Sequence, residues 1–188
     1  MDGYYDPIVT HVLKRPLCIC GYYGSRSIEV ASFVAGYSGI PFADLERNIE
    51  HRLGCNLYDA SSPECIEKEE YACLRSIIKS RPYSVVALRP QTLSSARVAK
   101  LIHKKADLIY IKGDIFLIFG RVLDLLERVE RTRYLNFDGY DPRNIRSLNV
   151  LMMKHAQEYS KAKWIIDIER IHPREVAQEI LQKLPAIY

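Results

Sequence analysis

The sequence predicts one α/β domain, a parallel sheet covered by helices on both faces, and three observations predict it. Short apolar strands alternate with longer helical segments along the whole chain of 188 residues. The strands read as continuous apolar runs, such as Ser84-Val-Val-Ala-Leu88, and not as an apolar–polar alternation, as expected of strands buried on both faces. No internal repeat or linker divides the chain, and its length suits a single core.

The elements follow in order. Residues 1–15 form an N-terminal extension whose helical piece is expected over Ile8 to Leu13, and the domain proper takes residues 16–188. A strand over Leu17–Cys20 leads through a glycine turn into a helix from Ser27 to Tyr37, with Ile28, Ala31, Val34 and Ala35 on its apolar face. Gly39 stops this helix and Pro41 follows. Pro41–Asp44 is a short strand, Leu45–Leu53 a helix ended by Gly54, and Pro63 opens a helix to Ser80 built on Ile66, Glu70, Cys73, Leu74 and Ile77. Strand 84–88, a turn at Arg89-Pro90-Gln91, a helix over 94–105 and strand Asp107–Ile111 come next. Asp114 caps a helix to Val129, residues 130–141 form a mobile lid, and a helix over 143–160, strand Trp164–Ile168 and a helix from Pro173 to Leu184 complete the chain.

Composition narrows the function classes. A formal charge of +4 without a concentrated basic stripe argues against nucleic acid as a partner. No apolar run reaches membrane-spanning length, and the first residues lack the pattern of a signal peptide. Five cysteines without paired C-x-x-C spacing fit a reducing cytoplasm. Cys18 and Cys20, two apart on a buried strand, are read as small core residues. His51, His103, His155 and His172 have no partners at ligand spacing and are read as surface residues, so no metal site is expected.

The segment Gly21-Tyr22-Tyr23-Gly24-Ser25-Arg26-Ser27-Ile28 joins strand to helix as a phosphate-binding loop does, for which the pattern is G-x-x-x-x-G-K-S/T. Gly21 keeps the first position and Gly24 can help make the turn. Arg26 replaces the second glycine, Ser27 the lysine, and Ile28 the Mg²⁺-binding hydroxyl. Gly21, Gly24, Ser25, Arg26 and Ser27 are therefore the candidate phosphate-binding residues, with Arg26 as the one cation.

The order of features resembles the shikimate kinases from about residue 16 to 184. The resemblance rests on the loop just described and on Phe42-Ala-Asp44-Leu-Glu46-Arg-Asn-Ile49-Glu50-His-Arg52-Leu-Gly54, similar to the family's F-x-D-x-D-x-x-I-E-x-R-x-G. Leu108–Ile111, Arg133-Tyr-Leu135 and the closing strand and helix carry the rest. The cytidylate-kinase-like proteins, which share a Tyr-Gly-Ser loop and a Gly-Ile-Pro-Phe turn, are the nearest alternative. The resemblance implies a three-layer, P-loop-kinase-like fold with a five-stranded parallel sheet and a lid at about 130–141. It implies Asp44 as the catalytic acid near the metal, a position that also suits a helix cap. Glu46, Arg52 and Glu67 fall on substrate-binding positions, and Arg131 and Arg133 on lid cations.

Several of these positions carry the wrong chemistry for the family's reaction, which depends on positioning and electrostatic stabilisation. Glu67 reverses the charge of an arginine that would hold the acceptor's carboxylate, and Arg89-Pro90-Gln91 replaces a glycine triplet. The late substrate arginine has only Lys154 or His155 near its place. Losing the loop lysine and hydroxyl together would cost about 4–7 kcal/mol, roughly a thousandfold to a hundred-thousandfold in rate. The expectation is a shikimate-kinase-like protein that has lost phosphoryl transfer and binds a small anionic or hydroxylated ligand, or a protein partner such as an aromatic-biosynthesis assembly. The alternative is a divergent small-molecule kinase using ATP and Mg²⁺, with a shikimate- or cyclitol-type alcohol as acceptor.

Overall fold

The structure, a computed structural model, describes residues 10–57, 62–128, 141–168 and 172–187. The elements are β1 (Thr10–His11), β2 (Leu17–Gly21), α1 (Ser27–Ser38), β3 (Phe42–Asp44), α2 (Leu45–Leu53), α3 (Pro63–Ser80), β4 (Val85–Ala87), α4 (Ala96–Lys105), β5 (Asp107–Lys112), α5 (Ile115–Arg128), α6 (Ile145–Tyr159), β6 (Trp164–Asp167), α7 (Pro173–Lys183) and β7 (Ala186–Ile187). A short 3₁₀ turn, Thr92–Ser94, precedes α4.

Five strands form one parallel sheet, as the resemblance implied, in the order β3-β4-β2-β5-β6. Residues of opposite parity along the central strands feed two cores. Cys18, Cys20, Val86, Leu108 and Tyr110 face one core, shared with α2 to α6. Leu17, Ile19, Val85, Ile109 and Ile111 face the other, where α1 and α7 pack. Continuous burial along Leu17–Gly21 explains why the strands show no polar alternation.

Three expectations need correction. The helical piece expected over Ile8 to Leu13 is not helical where it is described: Thr10–His11 pairs antiparallel with Ala186–Ile187, tying the ends of the domain together. Five apolar or β-branched residues in a run of six, with no cap, leave the choice of structure to a distant partner. On α1 the buried side chains are Ser27, Val30, Ala31, Val34 and Ala35, so Ile28 lies off the core face and is 44% exposed. His155, expected at the surface, is buried, with its ring against the Ser94 hydroxyl. The lid over 130–141 lies outside the described residues, apart from Asp141, as do Arg131 and Arg133.

Candidate functional site

The candidate phosphate loop leaves β2 at Gly21 and enters α1 through a tight turn in which Ser25 N–H donates to Tyr22 O at 2.9 Å. Gly21 is required by crowding, since a Cβ there would stand 2.3 Å from Ser25 Oγ and 2.9 Å from Ile111 O. Gly24 is required by conformation and space: its φ is +82°, and a Cβ would lie 3.0 Å from Ile118 O. Ser25 is fully buried, and its hydroxyl accepts a long hydrogen bond from Ser27 N–H at 3.4 Å. That amide belongs to the helix N-terminus a phosphate would use.

Arg26 adopts φ 58° and ψ 26° as the N-cap of α1 and is the one non-glycine residue with positive φ among those described. The backbone has thus kept the bend of a glycine while carrying a side chain, at a cost of about 1–2 kcal/mol. Its guanidinium folds back on the first turn of α1, with Nη2 2.5 Å and Nε 3.0 Å from the carboxylate of Glu29. This pair holds the Arg26 charge more firmly than usual and turns it toward an open groove of about 810 Å³ between α1 and α7, lined by Phe33, Tyr37, His172 and Arg174. The side chain does not point alone into the loop.

A second cation stands at the loop. Arg121 of α5 donates from Nη1 to Gly24 O at 3.0 Å. Burial, then the neighbouring Arg26 charge, lowers its proton affinity, and Glu29 opposes. The sequence offered one signal for it: Arg121 is the first cation on α5 after an apolar run from Ile115.

The positions that would hold a metal are brought together but not equipped for one. Ile28, Asp44, Arg47 and Phe42 line a groove of about 300 Å³. Asp44 caps α2 by accepting from Arg47 N–H at 3.2 Å, and its other carboxylate oxygen lies 3.6 Å from the Arg47 guanidinium. An aliphatic side chain thus faces an acid engaged twice by Arg47, so the loop side of this groove adds no ligand for Mg²⁺.

Where the resemblance places an acceptor, the dominant residue is Arg89, which follows Leu88 beyond the end of β4 and is 6% exposed. Its Nε lies 3.7 Å from Glu46 Oε2 on α2 and its Nη1 3.6 Å from Glu70 Oε1 on α3. The Thr92 hydroxyl donates to Glu70 Oε1 at 2.7 Å and accepts from Arg89 N–H at 3.0 Å. Burial pushes the Glu70 carboxyl up, against the pull of Arg89 and the Thr92 hydroxyl. Of the other expected substrate-binding residues, Glu67 accepts from Ser95 Oγ at 2.5 Å and Arg52 pairs with Glu69 at 2.9 Å. Both lie on exposed helix faces, outside the buried cluster.

Aromatic side chains brace the two halves of the site. Tyr22 is buried and donates to Leu151 O at 3.0 Å. Its ring meets Tyr159 edge-on at 5.2 Å, and Tyr159 stacks on Tyr110 at 4.5 Å. Tyr159 donates to Pro90 O, and Gln91 Nε2 donates to the Tyr23 hydroxyl at 3.1 Å.

No family model and no curated protein matches the chain. Solved structures do match. The shikimate kinase of Acinetobacter baumannii, in complex with shikimate, superposes with a TM-score of 0.77 at 17% identity, over 90% of this chain and 92% of that one. The shikimate kinase of Bacteroides thetaiotaomicron gives 0.74 at 15% identity, over 90% and 97%. That of Aquifex aeolicus vf5 gives 0.69 at 19% identity, over 89% and 94%. Together with the strand order and the loop between β2 and α1, these matches show that the chain has the fold of the shikimate kinases.

Proposed function

We propose that this protein keeps the shikimate-kinase fold without phosphoryl transfer and acts by binding, as a pseudokinase. One observation carries the proposal: at the phosphate loop the one cation in the sequence pattern, Arg26, is bound bidentately by Glu29, and Ser27 and Ile28 supply neither an ammonium group nor a metal-binding hydroxyl. Phosphoryl transfer in such a fold rests on a lysine and a metal neutralising the transferring group. A guanidinium paired with a neighbouring carboxylate is neither the compact ammonium nor the metal that this chemistry uses.

A second reading has one observation of its own. Arg121 brings another guanidinium to Gly24, so two cations flank the N-terminus of α1, where an anion is favoured. In that reading the protein is a divergent small-molecule kinase that uses Arg26 and Arg121 in place of the lysine. Thermal melting with millimolar ATP, with and without Mg²⁺, separates the two. The pseudokinase reading expects no Mg²⁺-dependent rise in melting temperature. A Mg²⁺-dependent rise that Arg26→Ala or Arg121→Ala abolishes would favour the kinase reading instead, and phosphorylated product would then decide it.

A further inference from the structure

Open α/β sheets offer ligands a crevice outside the carboxyl ends of their parallel strands. Here that end of β4 is occupied by a side chain of the protein itself. Arg89 reaches between Glu46 of α2 and Glu70 of α3, 3.7 and 3.6 Å away, and is 6% exposed. A buried guanidinium must be compensated by anions because it has lost its water, and two carboxylates from two helices provide this. Its Nε is buried and makes no hydrogen bond, so the pairing is ionic and no solvent reaches that atom.

The segment that carries Arg89 is fixed on every side. Thr92 ties its backbone to Glu70, Tyr159 holds the Pro90 carbonyl, and Tyr23 contacts Gln91. These contacts come from α3, α6 and the phosphate loop. A surface arginine merely swung inward would not recruit all three.

We propose that Arg89 is an intramolecular ligand: its guanidinium fills the crevice between Glu46 and Glu70 and closes it to free polyol or carboxylate acceptors. The inference goes beyond the reading of the phosphate loop and stands whether or not a nucleotide binds there.

Two measurements test it. In the full-length protein, ¹⁵N-edited NMR should show one arginine Nε–H protected from exchange, absent in Arg89→Lys, and unmoved by millimolar shikimate or inositol. Absence of a protected signal, or a shift of that signal on adding either compound, overturns the proposal. Arg89→Ala should melt about 5–15 °C lower, and N-ethylguanidinium at low millimolar concentration should restore part of the loss saturably, with no effect on the wild type and less effect from ethylammonium. Equal melting of Arg89→Ala and wild type, or equal effects of the guanidinium on both, contradicts it. If Arg89→Ala does not fold, the NMR result on the wild type decides alone.

Discussion

At the scale of single residues, Arg26 carries a backbone made for glycine. Its φ of 58° costs about 1–2 kcal/mol, and the pair with Glu29 is exposed, with side chains 37% and 49% accessible, so it returns little. Arg26→Gly should therefore raise stability by up to about 1 kcal/mol after the extra freedom of glycine in the unfolded chain is counted. Urea unfolding checks this, and a loss of stability would mean that the Glu29 pair is worth more than its exposure suggests. Glu70 makes a second prediction. Its folded-state proton affinity lies above that of an ordinary carboxyl, so the native state holds the proton longer than the unfolded chain. Stability then falls as pH rises above about 4.5, the ordinary value, until Glu70 is ionised in both states. Glu70→Gln should flatten this part of the pH–stability curve, and Arg89→Ala should steepen it by removing the cation that opposes the shift. An unchanged slope in Glu70→Gln would show that Glu70 is not the group responsible.

At the scale of elements, α6 is joined to the phosphate loop and to the segment after β4 by tyrosines. The Tyr22 hydroxyl reaches Leu151 and Met152 in mid-helix, and Tyr159 fills the space between Tyr22 and Tyr110. Tyr22→Phe should cost about 0.5–1.5 kcal/mol and speed amide exchange in α6 around residues 151–156. A neutral substitution with unchanged exchange would show that the loop and the helix are not coupled. These braces were invisible in the sequence because they join residues about 50 to 140 positions apart. The same limit explains β1: nothing in residues 8–13 names β7 as a partner. The sheet strands and α1 to α7 were legible, because apolar runs, capping residues such as Asp44 and Asp114, and stops such as Gly39 and Gly54 act locally.

At the scale of the molecule, the fold is that of the shikimate kinases, while the candidate site is held together by its own side chains. The departures of Arg26, Ser27 and Ile28 from the P-loop pattern were plain in the sequence, since that pattern gives each position a fixed chemical task. Arg89 was visible there only as the loss of a glycine. Its role depends on Glu46 and Glu70 meeting it from two helices, which no spacing along the chain reveals. Glu67 and Arg52 were named by register with the family pattern, and the structure places both on exposed helix faces, paired with Ser95 and Glu69 of other elements. No helix among the described residues is long and apolar enough to cross a membrane. The central claim is that this arrangement does not transfer phosphate. Its most direct test is to incubate the purified protein with ATP, Mg²⁺ and shikimate and to follow phosphorylated product. The account predicts no product above the protein-free control, and turnover at an ordinary kinase rate, about 1–100 s⁻¹, would contradict it.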